Sequence, residues 1–494
     1  MYPRPALRAR PRLLLLAGLT LASTACAGLF AGYDVAPNGL ARKDDALRRL
    51  LATGHADSAL AEVAGGNGTA HGDELLRALY AGILAHYAGR YEASDSALRR
   101  AVDLAEDRYT KRISKAAASL VTSDRVLPYE PGRTERLLIH YYGALNFLRR
   151  GDVEGAAVEA RRIGFLLERD RRDPDPRSTP LDAFLRDFTG AVFEAAGEWN
   201  DADVAYRNAL ALRGNGAPVD TSLARPLPDG EGEVVIVVEQ GFVAHRVQQS
   251  VTLLLEPEEA KRLTGGEADD RLGAAALLAA QVLEAAALAG ERDGIWYGRR
   301  PRGVRVEFSS DRSDAHDCKD EKEEDCKEEN PYLLRIAWPT FRLDREPATA
   351  MRVVADCGAD ARVEVAADLS RAVVRDFEEE RAAIVARTVA RAVSKLALTR
   401  GLEKSIGEKD ETAGQVVGLL TNLGTAALEQ ADTRSWQLLP GRIGLVRLRL
   451  PPGTHALTLE IASGAGDGAV RTIGLGHVDV AAGRHTFLSA RIWQ

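Results

Sequence analysis

The sequence is poor in the residues from which disulfide frameworks and metal centres are built. It has four cysteines and nine histidines among 494 residues, and so low a cysteine content excludes a disulfide-rich scaffold. Basic residues are in no excess, since 65 lysines and arginines stand against 72 acids and the formal net charge is -7. This balance argues against a protein that binds nucleic acid.

Signatures of catalysis are missing as well. The sequence contains no phosphate-binding loop after a strand, no HExxH, no GxSxG and no CxxC. We therefore predict that the chain is not an enzyme, with no catalytic residue, no cofactor and no resident metal.

Long apolar runs are scarce, and the first lies at the amino terminus. Leu13–Ala22 is too short to cross a bilayer as a helix, and it follows four arginines and no acid. Small residues then lead to Cys26. A basic head, a short apolar run and small residues are typical of a secretory signal peptide, here residues 1–25.

The cysteine that ends this segment indicates how the chain is anchored. Small residues directly before Cys26 resemble the lipobox of bacterial lipoproteins, so we predict lipidation of Cys26 and a linker over residues 26–43. Ser23, where an aliphatic residue is usual, keeps a second interpretation open: cleavage after Ala25 to give a soluble periplasmic protein. By resemblance to the lipoprotein sorting rule, Ala27 favours the outer membrane, with the protein facing the periplasm.

Residues 44–217 predict an α-helical domain built from repeats. In the last repeat, Gly190–Phe193 precede a turn at Gly197, and Ala202, Tyr206 and Ala209 follow it. This spacing resembles a tetratricopeptide repeat, in which small and large residues of paired helices face each other. Turn glycines mark three copies, at Gly89, Gly151 and Gly197, and a half copy at Gly54.

A segment rich in proline and glycine, residues 218–232, marks a domain boundary, and β-branched runs follow it. We predict a central α/β domain over residues 233–430 and a small antiparallel β domain over residues 431–494. Within the central part, Asp368–Lys395 has the apolar stripe of an amphipathic helix. The predicted fold class is therefore multidomain α+β, with a tetratricopeptide-like solenoid in front.

Residues 311–330 form a dense acidic run with two cysteines. In an oxidising compartment Cys318 and Cys326 can form a disulfide, and with Cys357 one thiol of the three remains unpaired. His316 and Cys318 with nearby carboxylates also suit a divalent metal. A solvated insertion between two strands explains the same charge density, and we favour it.

One stretch predicts a structural corner and another a contact between helices. Asp432 and Arg434 are spaced to pair across a turn that Trp436 anchors in apolar surroundings. Gly414 and Gly418 form a GxxxG spacing that lets helices approach closely, so self-association remains open.

Taken together, these motifs resemble a family of uncharacterised bacterial envelope lipoproteins. The resemblance covers nearly the whole mature chain and rests on the lipobox, on Tyr141-Tyr142-Gly143-Ala144-Leu145-Asn146, on Val158-Glu159-Ala160-Arg161-Arg162, on Val238-Glu239-Gln240-Gly241 and on the 432–440 corner. The acidic insertion has no counterpart in that resemblance, and no functional residues can be transferred from it.

The resemblance and the repeats imply a non-enzymatic, lipid-anchored adaptor or scaffold that binds a protein partner of the cell envelope. Repeat lipoproteins of this kind assist cell-wall synthesis, outer-membrane biogenesis or assembly of surface structures. Polar and aromatic side chains on the repeat helices are the predicted partner-binding residues: Tyr87, Tyr91, Tyr141, Tyr142, Asn146, Glu159 and Arg162.

Two other classes of function remain open. A self-assembling envelope or secretion component would associate through residues 413–428. An envelope hydrolase would use a cleft around Glu239, His245 and Arg246.

Overall fold

A computed structural model describes the chain over residues 30–36, 39–66, 73–119, 128–171, 179–214, 223–265, 268–288, 291–292, 295–296, 304–307, 331–343, 350–408, 415–418, 420–422, 424, 429–462 and 470–493. The predicted signal peptide, the lipidation site Cys26 and the Cys318–Cys326 pair in the acidic insertion lie outside these residues. None of the described helices is both long and apolar enough to cross a membrane.

Antiparallel helices make up the amino-terminal half. They are α1 (Gly39–Ala52), α2 (Ala56–Ala64), α3 (Glu74–Tyr87), α4 (Tyr91–Ser119), α5 (Arg133–Arg149), α6 (Val153–Arg169), α7 (Thr179–Ala195) and α8 (Trp199–Leu212). The turns within pairs are made at the four glycines named above, whose φ angles lie between 72° and 80°. Only glycine adopts this left-handed conformation without strain, which explains why the turns stand where they do.

In two of the pairs, a glycine that faces a large side chain lets the helices approach closely. Gly190 of α7 lies against the ring of Tyr206 on α8, and Gly82 of α3 lies against Leu98 of α4. The Ser94 hydroxyl donates to the Gly82 carbonyl at 2.7 Å. This is the small-to-large packing that the sequence predicts for the paired helices.

The remaining elements form three sheets and three further helices. They are β1 (Phe30–Ala36), β2 (Gly232–Gln240), β3 (His245–Leu255), α9 (Pro257–Thr264), α10 (Ala268–Leu288), β4 (Glu291–Arg292), β5 (Ile295–Trp296), β6 (Val304–Glu307), β7 (Tyr332–Arg342), β8 (Met351–Ala355), β9 (Asp360–Arg362), β10 (Glu364–Asp368), α11 (Leu369–Gly407), β11 (Arg442–Leu450), β12 (Gly453–Ala462), β13 (Val470–Val480) and β14 (His485–Ile492). The orders are β4-β5-β7-β3-β1-β6, β10-β11-β2-β14 and β13-β12-β8-β9. Helices and sheets therefore combine in an α+β arrangement.

Helix α11 covers one face of the six-stranded sheet. Its amino terminus is capped by Asp368, whose carboxylate accepts from the Arg371 N–H at 3.1 Å. Val385 and Val389 of α11 share a core with Ile336 of β7. The helix begins where the sequence predicts and continues twelve residues past Lys395, to Gly407.

The predicted separate β domain at residues 431–494 requires correction. Strands β11 and β14 flank β2, with β14 parallel to it, while β12 pairs with β8 of the central region. Alternation along a strand shows that one face is buried, but it does not show which strand lies beside it. The carboxy-terminal strands complete two sheets begun earlier in the chain.

Strand β2 is buried on both faces, as its unbroken β-branched run indicates. Val234, Ile236 and Val238 share a core with the β13-β12-β8-β9 sheet, so the two four-stranded sheets form a sandwich. Val235 and Val237 point the other way, into the core formed with the helices. The amino-terminal helices therefore pack on one side of this sandwich.

Candidate functional site

The amino-terminal helices form a layer, and one face of this helical layer lies against Glu239, a buried residue near the end of β2. Its two oxygens accept hydrogen bonds from the hydroxyls of Tyr87 at 2.9 Å, Tyr141 at 3.2 Å and Tyr142 at 2.9 Å. Burial raises the pKa of all three phenols, and the charge of Glu239 raises each further. The tyrosines are therefore protonated donors that join the helices to β2.

This placement bears directly on the predicted partner-binding residues. Tyr141, Tyr142 and Asn146 are fully buried, and Tyr87 is partly buried against Trp493, with its ring centroid 5.2 Å away. These four residues contact other parts of the same chain and offer little or no surface for direct docking. A stripe of aromatic residues on a helix indicates an interface, but it does not distinguish an external partner from the chain's own sheet.

Asn146 holds three helices together. Its amide nitrogen donates to the Ser94 hydroxyl at 2.9 Å and to the Asp95 carboxylate at 2.8 Å, and its oxygen lies 2.7 Å from Nδ1 of His86. Burial raises the pKa of the Asp95 carboxyl, although the Asn146 hydrogen bond and the charge of Arg150 act in the opposite direction. Asn146 therefore fixes the relative positions of α3, α4 and α5.

The corner at residues 432–440 lies on the same helical layer. The Arg434 guanidinium donates to Asp432 at 2.6 Å and to Asp73, the amino-terminal cap of α3, at 3.0 Å. The Trp436 side chain is fully buried, with its ring centroid 6.1 Å from that of Tyr142. The sequence predicts the Asp432–Arg434 pair and the buried Trp436 of this corner, but not its contacts with the helices.

Helical side chains also bind the backbone of this corner. The Trp436 N–H donates to Glu135 of α5 at 2.9 Å, and the Tyr80 hydroxyl of α3 donates to the Ser435 carbonyl at 3.0 Å. Residues 429–436 have neither helical nor strand structure, so their polar groups need such partners. The helical layer thus holds a stretch of irregular chain through backbone contacts, anchored by a buried tryptophan.

A groove remains open on another face of the helices, and we call it the α4–α6 groove. It has a volume of about 210 Å³ and is lined by residues that include Leu98, Ile139, Phe147, Val158, Glu159 and Arg162. Two of the predicted partner-binding residues, Glu159 and Arg162, therefore line one concave surface.

Charges in the α4–α6 groove are arranged by depth. The buried Glu159 carboxylate accepts from Nη1 of Arg162 at 2.8 Å and lies 2.6 Å from Nδ1 of His140. Asp95 is likewise buried and paired with Arg150 at 2.5 Å. The exposed residues Arg99 and Arg162 line the same groove. Arg162 balances Glu159 from the edge of the groove, and Arg99 adds a further positive charge there.

Tyr91 lies elsewhere. It is partly exposed at the start of α4, where its hydroxyl accepts from Nε of Arg149 at 3.1 Å. It lines a shallow open depression with Gly89 and Arg150, separate from the α4–α6 groove. The structure therefore does not bring all seven predicted residues to one surface.

The three residues of the hydrolase interpretation do not converge on one cavity. Arg246 lines a cavity of about 130 Å³ between α5 and α11, with its guanidinium 5.2 Å from the centre of the Phe377 ring. Glu239 and His245 are not among the residues that line it. Glu239 accepts from three tyrosines instead, and Nδ1 of His245 lies 3.1 Å from Arg48.

Sequence reasoning missed His140 and Arg99 in the α4–α6 groove. His140 faces Glu159, nineteen residues later, across a turn at Gly151. Helical spacing alone identifies the apolar stripe, and only the pairing of α5 with α6 brings this histidine to the glutamate.

Comparisons with known proteins leave the chain without an assigned relative. No protein-family model matches it, and neither the curated proteins nor the solved structures provide a significant match.

Proposed function

We propose that this protein is a non-enzymatic envelope adaptor that binds a partner protein in the α4–α6 groove. The observation that carries the proposal is the groove itself, about 210 Å³ in volume, which α4, α5 and α6 line with both apolar and charged side chains. Grooves of this kind bind protein segments through apolar anchors and a polar rim.

The charges favour one kind of segment. Arg99 and Arg162 are exposed at the groove, while Asp95 and Glu159 are buried and already paired. An apolar side chain flanked by acidic residues would bury its tip near Val158 and place its carboxylates near the two arginines. Contacts between exposed charges are screened by salt, so this part of the affinity decreases as ionic strength rises.

The way in which the helices hold the 432–440 corner supports the same function. Glu135 and Tyr80 bind backbone groups there, while a buried tryptophan supplies the apolar anchor. The same helical layer has a second concave face, the α4–α6 groove, whose lining among the described residues comes from α4, α5 and α6 alone.

Anchoring belongs to the proposal as well. Lipidation at Cys26 would attach the protein to the outer membrane on the periplasmic side and would leave the groove free to recruit a partner to that surface. Acyl chains hold a protein at a membrane by the burial of their methylenes.

The test compares two exposed apolar residues on the same helix. Val158 lines the α4–α6 groove and is 47% exposed, whereas Phe165, also on α6, is 65% exposed and is not among the residues that line the groove. We expect Val158→Asp to weaken co-purification of the principal cellular partner by about tenfold or more, because it places an acid in the apolar contact. Phe165→Asp is the matched control, and equal binding by both variants would contradict the proposal.

Self-assembly is a second candidate function, favoured by exposed leucines and valines near the end of α11. Leu398 and Leu402 lie one helical turn apart and are 60% and 47% exposed, and Val416 and Leu420 are 51% and 64% exposed. Light scattering of the full chain distinguishes the two functions. A homo-oligomer that dissociates when Leu398 and Leu402 are changed to glutamate would favour self-assembly.

A further inference from the structure

Three metal-ligating side chains meet at one end of the β13-β12-β8-β9 sheet, and none of them takes part in the groove or the Glu239 cluster. The ligand atoms of Asp356, Cys357 and His455 all lie within 4.8 Å of one another. Asp356 and Cys357 form the turn after β8, and His455 lies near the start of β12. Both backbone and side-chain bonds fix the arrangement, since Asp356 donates its N–H to the Ala456 carbonyl at 3.1 Å and accepts the Ala456 N–H at 3.0 Å.

Both ring nitrogens of His455 face acceptor oxygens. Its Nε2 lies 2.8 Å from the Pro451 carbonyl oxygen, and its Nδ1 lies 3.2 Å from a carboxylate oxygen of Asp356. Both neighbours are acceptors, but a neutral imidazole has only one N–H to donate. When Nε2–H donates to Pro451, the lone pair of Nδ1 faces a carboxylate oxygen, an arrangement in which both atoms can bind one metal ion.

The geometry also fits a metal ion between these atoms. Histidines that bind metals commonly donate their second ring N–H to a backbone carbonyl, as Nε2 does here toward Pro451. Tetrahedral Zn²⁺ with ligand bonds of about 2.0–2.3 Å separates its ligand atoms by about 3.4–3.6 Å. The 3.2 Å between Nδ1 of His455 and the Asp356 oxygen is already close to that separation.

We propose that Asp356, Cys357 and His455 form a binding site for a divalent transition metal, with Zn²⁺ the best fit to this ligand set. A thiolate, an imidazole and a carboxylate suit zinc and would bind as three protein ligands. The Cys357 side chain is exposed and the Asp356 side chain is 50% exposed, so water supplies the fourth ligand. A site with one open position is accessible to exchange of the metal with solution.

A second cluster of similar composition has a different role. Glu194, Glu233 and His485 also bring ligand atoms together, but Arg447 lies among them, with its guanidinium 2.6 Å from Glu194 and 2.5 Å from Glu233. A guanidinium already balances those carboxylates, so that cluster is an ion-pair network that joins α7 to the sheet.

Cobalt titration of the metal-free full chain tests the proposal, because a thiolate bound to Co²⁺ gives an intense charge-transfer absorption. We expect one equivalent of Co²⁺ to produce this absorption together with the bands of tetrahedral cobalt, and Zn²⁺ to abolish both. Cys357→Ser should eliminate the charge-transfer band, and the exposed turn position makes this variant compatible with folding. The double variant Cys318→Ser with Cys326→Ser is the matched control, which should keep the band.

Asp356→Asn provides a second variant that leaves the thiol in place. We expect it to weaken Co²⁺ binding by about tenfold or more, since even the outer partners of a metal site change affinity by that factor. The proposal is overturned if the unchanged chain shows no thiolate–cobalt band. It is equally overturned if the band survives Cys357→Ser or is lost only in the Cys318→Ser, Cys326→Ser control.

Discussion

Tyr142 illustrates how single residues fix the orientation of the helices on the sheet. Its hydroxyl donates to Glu239 at 2.9 Å and lies 3.0 Å from the Tyr87 hydroxyl, with the ring fully buried. We expect Tyr142→Phe to lower the free energy of unfolding by about 1.5–3 kcal/mol, since a buried bond to a carboxylate is lost while the carboxylate remains.

The matched control for this change is Tyr91→Phe. The Tyr91 hydroxyl accepts a hydrogen bond from Arg149 at an exposed site. We therefore expect Tyr91→Phe to lower the free energy of unfolding by less than about 0.5 kcal/mol. Denaturant unfolding of the two variants provides the measurement. Losses of similar size would mean that the Glu239 cluster does not stabilise the fold as described.

His86 gives the molecule a defined dependence on pH. Burial lowers the pKa of its imidazole from 6.5, more than the Asn146 hydrogen bond and the Glu239 charge raise it. Between pH 6.5 and the lower pKa of the folded imidazole, the unfolded chain binds a proton that the folded chain does not. The free energy of unfolding therefore decreases as pH falls, by up to about 1.4 kcal/mol per unit until the folded imidazole is protonated as well.

The measurement that isolates His86 is the difference between the unchanged chain and His86→Gln. Both are unfolded with denaturant at about pH 8 and about pH 5, across the range in which histidine titrates. We expect the unchanged chain to lose more stability than the variant over this interval. Parallel losses would assign the pH dependence to other groups.

At the scale of elements, small residues determine how closely two helices approach. A Cβ on Gly190 would overlap the ring of Tyr206, whereas a Cβ on Gly164 of α6 would have no neighbour within 4 Å. Gly190→Ala should therefore destabilise the chain by about 1–3 kcal/mol through overpacking. Gly164→Ala should stabilise it by up to about 1 kcal/mol through helix propensity.

Thermal unfolding of both glycine variants checks the opposite signs. Helical propensity favours alanine at both positions, so it cannot by itself produce a difference in sign. Stabilisation by Gly190→Ala would show that α7 and α8 are not packed as closely as described.

Local patterns in the sequence predict elements well, but not their partners. The local sequence determines a glycine turn such as that at Gly151 and a β-branched strand such as β2. Both lie where the sequence predicts them. Strand β14 alternates in the way expected of an antiparallel strand, yet it pairs in parallel with β2, about 250 residues earlier. Pairing over such a distance depends on the whole fold.

At the candidate site too, the sequence predicts which helix faces are covered but not what covers them. The sequence predicts that Tyr141 and Tyr142 bind a partner protein, but both are buried and donate to Glu239 in β2 of the same chain. Glu159 and Arg162 do line an open groove. Amphipathy indicates that a helix face is covered, and only the tertiary structure shows what covers it.

At the scale of the whole molecule, helices and sandwich share one core, and no division at residue 431 separates them. Trp436, Leu439 and Phe487 pack in the same cluster as Leu79 and Phe188 of the helices. The helices that line the α4–α6 groove therefore belong to the same core as the sandwich.

The most direct test of the adaptor proposal is site-specific photocrosslinking in intact cells. A photoreactive amino acid is introduced at Val158 in one strain and at Phe165 in another, and the crosslinked products are identified by mass spectrometry. The groove proposal predicts one dominant envelope protein crosslinked from position 158, much less of it from position 165, and loss of the product when Arg162 is also changed to glutamate. The same product from both positions, or none from position 158, would contradict it.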